Sequence, residues 1–339
     1  MSNFLASLGW DAGFAGSYRR LDRTDCQPGR VARVDRGVCT VLTDSGVVRA
    51  SFAGSLLTAA AADPTALPCA GDWAVVRSWP DRRVTLELVL PRRTAVVRNS
   101  AAKDSYGQVL AANLDIAAVV EPLDPDPDSG RVERLLALAH ESGAEPLLIL
   151  TKADLVADPD AIASQLSEAA PGVAVCTVSA ATGAGMTELR RRCRGSVTVA
   201  LLGPSGCGKS TLVNALAGTT VMATRSPRAD RTGRHTTTYR SLIPLPGGGA
   251  ILDTPGLRSV GLFDTGAGLD RAFADIEAYA AGCRFADCAH AAEPDCAVRE
   301  AIAAGDLPER RLVSWRKLQR EHELERRRRQ RRETAERRR

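Results

Sequence analysis

The sequence predicts a multidomain chain with an all-β barrel first, an α/β nucleotide-binding domain next and a mainly α, metal-binding unit last. Three observations support this prediction. Short β-branched segments separated by Gly and Asp occupy residues 30–92. An apolar strand pattern, a glycine-rich loop and a helix pattern follow one another over residues 197–217. Three cysteines and one histidine lie close together in residues 283–296.

The composition excludes several classes of protein. The chain has 339 residues, enough for two or three domains, and its 44% hydrophobic fraction is ordinary for a globular protein. The N-terminus lacks the regions of a signal peptide, and no apolar run is long enough to span a membrane. Nine cysteines, six of them widely scattered, indicate reduced thiols. We therefore expect a cytoplasmic chain without a membrane partner.

The first part of the sequence divides into a lead-in and a barrel. Residues 1–29 show no clear periodicity, so we expect a loose lead-in. Residues 30–92 contain five short strand patterns, which suit an OB-fold, a barrel that commonly binds oligonucleotides. An unrelated small β-domain is the alternative. Residues 59–70, rich in Ala and Pro, are expected to form a loop between two strands.

A connecting segment follows the barrel and leads into the α/β domain. It carries four basic residues, Arg92, Arg93, Arg98 and Lys103. These side chains either contact RNA phosphates or form a solvated edge, and the sequence does not decide between the two. After Asp115, apolar strand patterns alternate with helical spacing, which predicts an α/β domain over residues 93–262.

The α/β domain contains a phosphate-binding loop. Its glycines let backbone N–H groups approach phosphates, and the following helix adds the positive end of its dipole. Lys209 is expected to reach the β- and γ-phosphates and to act in catalysis, while Ser210 binds Mg²⁺. The predicted nucleotide contacts of the loop are Gly203, Pro204, Ser205, Gly206, Cys207, Gly208, Lys209, Ser210 and Thr211.

Two further segments predict that the bound base is guanine. The first consists of Thr151, Lys152, Ala153 and Asp154. It matches the [NT]-K-x-D loop of GTPases, in which the Asp carboxylate accepts the N1–H and the amine of guanine. Ser179 and Ala180 follow the next strand pattern and correspond to the second base-contacting loop. Transporter ATPases share a similar phosphate loop, but they lack this base loop and carry an LSGGQ-like signature that is absent from this sequence.

Two segments after the phosphate loop are expected to sense the γ-phosphate. Asp253 begins a DTPG segment after an apolar strand pattern, and its carboxylate would hold Mg²⁺ while the N–H of Gly256 meets the γ-phosphate. A polar GRHTTT segment precedes it. We assign Thr237 of that segment to Mg²⁺, with Thr236 as a close alternative.

The residue that orients the attacking water is not the usual one. Leu257 stands where many GTPases place a glutamine, so we expect slow intrinsic hydrolysis. His235 is assigned this catalytic role, because a neutral imidazole can accept a hydrogen bond from water. A solvent-exposed loop histidine is the alternative.

The order of the motifs indicates a circular permutation. In ordinary GTPases the phosphate loop comes first and the base loop follows, whereas here the base loop comes first. Permutation is tolerated where the original termini lie close together. It joins the DTPG segment directly to the C-terminal unit, and this covalent link would transmit nucleotide-dependent changes.

The C-terminal unit, residues 263–315, contains a candidate metal site. Its spacing C-x4-C-x-H-x5-C supplies four ligands, which suits a closed tetrahedral Zn²⁺ site with a structural role. Reduced cysteines beside a surface histidine are the alternative. The predicted ligands are Cys283, Cys288, His290 and Cys296.

The last part of the sequence, residues 316–339, is expected to be a basic tail, helical or disordered. Residues 326–339 contain nine Arg and two Glu, a net of +7, whereas the whole chain carries +5. The remaining 325 residues therefore sum to −2. We interpret the tail as a segment that neutralises RNA phosphates; a solvated tail is the alternative.

Together, the permuted motif order and the zinc spacing resemble the ribosome small subunit-dependent GTPase A family over about residues 30–315. The resemblance implies an N-terminal OB-fold barrel, a circularly permuted P-loop GTPase domain and a C-terminal zinc-binding domain. It implies a GTP hydrolase that binds the small ribosomal subunit and its rRNA in the GTP state. Hydrolysis to GDP, stimulated by the subunit, would release the protein late in subunit maturation. We expect a monomer.

One departure from the family pattern concerns the base loop. Thr151 replaces the more usual asparagine, whose amide both contacts the base and braces the phosphate loop. A threonine has one hydroxyl, so guanine affinity is expected to be somewhat weaker.

Two other functions stay open: an RNA-binding assembly factor that uses GTP as a structural ligand and, more remotely, a P-loop ATPase.

Overall fold

Consecutive parts of the chain form a β-barrel, an α/β domain and a helical unit, which confirms the predicted fold class. The computed structural model describes residues 3–99, 107–222, 241–254 and 266–336. None of the helices within these ranges combines the length and the apolarity that a bilayer-spanning segment requires.

The N-terminal segment is folded, which corrects the expected loose lead-in. It contains α1 (Asn3–Ser7) and α2 (Ala12–Arg19). Leu5 and Leu8 are buried, and the ring of Trp10 packs 4.8 Å from that of Trp73 in the barrel. With only 5 and 8 residues, these helices are too short to reveal a period in the sequence.

The barrel has five strands that close on themselves. They are β1 (Cys26–Asp35), β2 (Val38–Thr43), β3 (Gly46–Phe52), β4 (Trp73–Ser78) and β5 (Val84–Val89). They pair in the order β1–β2–β3–β5–β4–β1, which is the OB-fold arrangement. Residues 59–70 are not a simple loop, since α3 (Gly54–Ala62) covers their first part. The run of alanines there favours helix.

The α/β domain contains one mainly parallel sheet. Its elements are β6 (Ala95–Asn99), β7 (Gly107–Ala112), β8 (Ile116–Pro122), α4 (Ser129–Glu141), β9 (Glu145–Thr151), α5 (Pro159–Ser167), β10 (Ala174–Thr177), α6 (Met186–Arg192), β11 (Thr198–Leu202), α7 (Lys209–Ala217), β12 (Ser241–Pro244) and β13 (Ala250–Asp253). β6 and β7 form a separate hairpin. The sheet order is β10–β9–β8–β11–β13–β12, and β12 runs antiparallel to β13. The carboxyl ends of the five parallel strands therefore meet at one edge.

The barrel and the α/β sheet are joined directly. Strand β1 pairs with β12 at Arg33 and Ser241, so one continuous sheet crosses the boundary. The buried Arg30 donates to the carbonyl of Leu8 at 2.8 Å and to that of Asn113 at 2.7 Å. Burial lowers the pKa of Arg30 to about 10, which leaves it charged at neutral pH. This guanidinium ties the N-terminal segment to the α/β domain.

Two basic residues of the connecting segment, Arg92 and Arg93, form ion pairs within the chain. Arg92 Nε donates to Asp72 Oδ1 at 2.7 Å, and Arg93 Nη1 donates to Asp11 Oδ2 at 2.5 Å. Hydrogen bonding with Arg93 lowers the pKa of Asp11 to about 2. These arginines hold the barrel and the N-terminal segment together, while Lys103 lies outside the described residues.

The C-terminal unit is helical. Its helices are α8 (Gly266–Ala272), α9 (Ala274–Ala280), α10 (Ala297–Ala304) and α11 (Glu309–Glu336). α8 packs closely on α4: a Cβ at Gly268 would lie 2.4 Å from the carbonyl oxygen of Ala137, so this position requires glycine. The described part of the basic tail is the continuation of α11.

A buried ion network fixes the C-terminal unit to the α/β domain. Arg311, which has no exposed surface, donates to Glu133 Oε1 of α4 at 2.9 Å. It also donates to Asp275 through Nε at 2.9 Å and Nη2 at 2.5 Å. Its guanidinium stacks 4.4 Å from the ring centre of Phe273. One side chain therefore joins three helices.

We expect Arg311→Met to lower the free energy of unfolding by about 3 kcal/mol, because Glu133 would stay buried with Arg310 as its one remaining ion-pair partner among the described residues. Urea denaturation measures the change. Arg191→Met is the control, since its ion pair with Glu188 is on the surface and its loss should not be measurable. Equal stability of Arg311→Met and the parent chain would contradict a structural role for the network.

Candidate nucleotide site and metal site

The phosphate loop lies between β11 and α7 at the carboxyl edge of the sheet. A Cβ at Gly203 would lie 2.4 Å from the carbonyl oxygen of Val120, so glycine lets the loop pass close to β8. Gly206 and Gly208 have φ angles of 86° and 95°, which side-chain-bearing residues rarely adopt. The loop therefore has the backbone shape that converges N–H groups on an anion.

Lys209 begins α7 and lies over the loop. Its side chain is 7% exposed, and Nζ donates to the carbonyls of Gly203 at 2.8 Å and Pro204 at 2.6 Å. The ammonium is therefore held at the loop, where a phosphate would meet it. Cys207 is buried beneath, and burial raises the pKa of its thiol, so it stays neutral. Ser210 and Thr211 follow in the first turn of α7.

The base loop braces the phosphate loop. The hydroxyl of Thr151, at the end of β9, donates to the carbonyl of Cys207 at 2.6 Å. The contact is buried and joins residues 56 positions apart in the chain. Thr151 therefore uses its single donor to hold the phosphate loop, which leaves no second donor for a base.

We expect Thr151→Val to lower the affinities for GDP and inosine diphosphate by the same factor, roughly tenfold. The substitution removes the bracing hydrogen bond and leaves a buried carbonyl unpaired. Competition with a fluorescent nucleotide measures both affinities. Thr151→Ser keeps the hydroxyl and should bind like the parent chain. If Thr151→Val lowers the preference for guanine over hypoxanthine, the hydroxyl contacts the base instead.

Asp154 is oriented by the second base loop. Ser179, which is completely buried, donates its hydroxyl to Asp154 Oδ1 at 2.5 Å. Asp154 itself is exposed, and Ala180 lies beside Ser179. Lys152 has a left-handed φ of 61°, and its Nζ donates to the carbonyl of Asp124 at 2.6 Å. The structure therefore brings together the two segments that the sequence assigned to the base.

Asp253 lies at the end of β13, beside the phosphate loop. It is 2% exposed, and its Oδ1 has no hydrogen-bond partner among the described residues. Burial raises its pKa, an effect that the charge of Lys209 opposes. A buried carboxylate oxygen without a donor suits a divalent cation such as Mg²⁺. His235, Thr237 and Gly256 lie outside the described residues.

The four predicted metal ligands converge in the C-terminal unit, with all ligand atoms within 4.8 Å of one another. His290 Nδ1 lies 3.6 Å from Cys283 Sγ and 3.5 Å from Cys296 Sγ, and the two sulfurs are 3.9 Å apart. Ligands at Zn–S of about 2.3 Å and Zn–N of about 2.0 Å have such separations in a tetrahedron. With Cys288, the cluster can hold a metal ion.

The ligand side chains of the cluster differ in their pKa shifts, and burial raises the pKa of Cys288 to about 11. Burial raises the pKa of Cys283, but hydrogen bonds from the N–H groups of Val298 and Ala297 outweigh this effect, so the net shift is downward. A thiol with a lowered pKa supplies the thiolate that a metal binds. Burial lowers the pKa of His290, which favours the neutral imidazole needed for coordination.

Two residues that support the cluster had no signal in the sequence. The ring of Trp315 lies 5.4 Å from that of His290, and Arg316 donates to the carbonyl of His290. Both belong to α11, far from the ligands along the chain. Their role depends on where α11 packs, which no spacing rule reports.

A phosphate loop, a guanine-type base loop and a buried acidic residue, arranged in permuted order on one sheet, are the features of a circularly permuted GTPase. The chain belongs to the RsgA GTPase family, whose model matches residues 89–263.

Similar proteins cover nearly the whole chain. The small ribosomal subunit biogenesis GTPase RsgA of Streptomyces coelicolor is 51% identical over 323 residues, 94% of this chain and 87% of that protein. The protein of the same name from Syntrophotalea carbinolica is 40% identical over 320 residues, 92% and 87% of the two chains.

Two crystal structures share the fold. YjeQ from Thermotoga maritima has a TM-score of 0.63 at 23% identity, over 88% of this chain and 98% of that chain. YloQ, a circularly permuted GTPase, has a TM-score of 0.61 at 22% identity, over 88% and 96%.

Proposed function

We propose that this chain hydrolyses GTP to GDP and phosphate while it acts in late maturation of the small ribosomal subunit. The subunit and its rRNA bind the GTP form and stimulate hydrolysis, and hydrolysis releases the chain. Relatives that match nearly the whole chain carry the name small ribosomal subunit biogenesis GTPase. The proposed form is a monomer in the cytoplasm.

One observation supports a nucleotide switch above all: both outer parts are attached to segments next to the γ-phosphate site. The barrel pairs with β12, which precedes β13 and Asp253. The chain then runs from Asp253 towards α8, which packs on α4. A change at the γ-phosphate would therefore move strands and helices that carry the surfaces of both outer parts.

The residues have the following proposed roles. Lys209 and the N–H groups of the phosphate loop bind the phosphates, and Asp154 recognises guanine. Ser210, Thr237 and Asp253 hold Mg²⁺, which neutralises charge on the phosphate oxygens when bound. The cluster in the C-terminal unit holds one structural Zn²⁺.

The test is multiple-turnover GTP hydrolysis with and without purified small ribosomal subunits. We expect slow hydrolysis by the chain alone and a large increase with added subunits. Tight subunit binding without any stimulation would instead identify an RNA-binding assembly factor with GTP as a structural ligand. Preference for ATP over GTP would indicate a P-loop ATPase.

We also propose that His235 orients the attacking water, because Leu257 cannot form hydrogen bonds. His235→Ala is expected to bind GTP normally but to lose roughly tenfold or more in subunit-stimulated turnover, because it removes a positioned proton acceptor. Stopped-flow phosphate release measures this rate. Unchanged stimulated turnover would mean that the orienting group comes from elsewhere, including the ribosome itself.

A further inference from the structure

The first half of α11 is fixed to both neighbouring parts of the chain. Leu312 and Leu318 are 3% and 2% exposed in the core of the C-terminal unit. Farther along, Arg134 of α4 donates to the carboxylate of Glu321 with two hydrogen bonds of 2.6 and 2.7 Å. The direction of the helix is therefore set by contacts on two sides.

The second half of α11, residues 322–336, is here named the distal arm. At 1.5 Å per residue, its 15 residues extend about 22 Å. Several of its described side chains are well exposed, with 56% for Leu324 and 66% for Arg327. The described ion pairs of its arginines are made within the helix, from Arg326 and Arg327 to Glu323 and from Arg328 to Glu325.

Arginines lie on every side of the distal arm, whose six Arg and four Glu sum to a net charge of +2. Four consecutive arginines occupy residues 326–329, and successive residues of an α-helix point about 100° apart, so the four cover every side. Leu324 is the single large apolar residue of this segment of the sequence. A helix that binds a lipid surface needs an apolar face, so this arm does not suit a membrane.

We propose that the distal arm is a rigid, preformed element that inserts between two phosphate backbones of folded RNA, such as the walls of a groove or cleft. A partner that meets all sides of the helix must surround it with negative charge. The deep groove of regular A-form RNA is too narrow to admit a helix, so the fitting site is a cleft, or a groove widened by an internal loop, with phosphates on both walls. This inference rests on the proposed function, in which the small subunit supplies the RNA.

The ion pairs within the arm prepare it for this contact. Exposed Arg–Glu pairs contribute little to stability, so a guanidinium can exchange its carboxylate for a phosphate at small cost. The helix is already formed, which removes the entropy loss of ordering a flexible tail on binding. Rigidity therefore matters as much as charge, and this separates the arm from a disordered basic tail.

The first test compares Gln330→Pro with Gln330→Ala, which leave the charge of the arm unchanged. Proline breaks the helix interior, whereas alanine favours it. With purified small subunits and a non-hydrolysable GTP analogue, Gln330→Pro should bind about tenfold more weakly, and Gln330→Ala should bind like the parent chain. Equal affinities of the two variants would overturn the proposal that the arm must be rigid. As a control, the thermal unfolding temperature of the rest of the protein should be the same in both variants.

The second test changes charge while the helix is kept. The triple variant Arg326→Gln, Arg327→Gln and Arg328→Gln should reduce the salt slope of subunit binding by about two to three. The double variant Glu323→Gln and Glu325→Gln should bind a few-fold more tightly, because Arg326, Arg327 and Arg328 lose the carboxylates that they pair with in the free arm. An unchanged salt slope would overturn the proposal. Binding to phosphatidylglycerol vesicles is the second measurement: if the parent chain binds them and the triple variant does not, the arm binds a membrane and the proposal fails.

A fluorescent RNA hairpin with an internal loop separates this proposal from the function on which it rests. If the parent chain does not bind small subunits but binds the hairpin, and the triple variant does not bind the hairpin, the inference about the arm is supported and the proposed function fails. If subunits bind and stimulate hydrolysis equally in the parent chain, the Gln330→Pro variant and the triple variant, the arm alone fails.

Discussion

Asp154→Asn is expected to change the base preference from guanine to xanthine and to lower the affinity for GTP by roughly two to four orders of magnitude. Ser179 fixes Oδ1 of residue 154 with a hydrogen bond of 2.5 Å, and an asparagine oxygen can still accept it. The amide nitrogen would then take the place of the second carboxylate oxygen. There it opposes the guanine amine but can donate to the oxo group of xanthine.

Affinities of GTP and xanthosine triphosphate, measured by competition, test this expectation. Ser179→Ala is the matched variant, because it keeps the carboxylate but removes the bond that orients it. We expect a few-fold loss of GTP affinity with guanine preference retained. Full guanine preference in Asp154→Asn would show that another residue recognises the base.

The second large effect is expected at the metal cluster. Cys296→Ser should lose the bound zinc and disrupt the C-terminal unit, because a structural Zn²⁺ supplies much of the folding free energy of a small unit. Cys296 is 3% exposed and stands directly before α10, so its loss frees the start of that helix. Metal analysis and thermal unfolding measure the two consequences.

A matched variant separates the metal from general effects of cysteine replacement. Cys26→Ser lies in the barrel, far from the cluster along the chain, and should keep one zinc per chain. GDP affinity should stay near that of the parent chain in both variants, because the base and phosphate contacts belong to the α/β domain. A parent chain purified with all four ligands intact but no zinc would refute the assignment.

Elements with a strong local pattern were predictable. The apolar runs that became β8, β9, β11 and β13, and the helical spacing that became α4, have the expected types. Two segments were misjudged for physical reasons. The N-terminal helices are too short to show a period, and the alanine-rich helix α3 has few apolar side chains that mark a buried face.

The features of the candidate site also divide into those that the sequence predicted and those that only the structure shows. The residue types and spacings that suit phosphate, guanine and a metal are contiguous in the sequence, so they were visible there. The partners were not. Spacing alone does not show that Thr151 braces Cys207, that Ser179 holds Asp154 or that Nδ1 of His290 faces the cysteines. The sequence likewise does not distinguish the buried Arg311 from the exposed arginines of the same helix.

By itself, the sequence determined the chemistry of this protein: its phosphate loop, its base loop, their permuted order and a set of four metal ligands. Only the tertiary structure decided which basic side chains serve the fold. Arg30, Arg92 and Arg93 bind carbonyls and carboxylates that lie elsewhere in the chain, whereas Arg326 to Arg328 stay exposed. The reason is that a motif is read from neighbouring residues. A charged side chain, by contrast, takes its role from acceptors that folding brings near it.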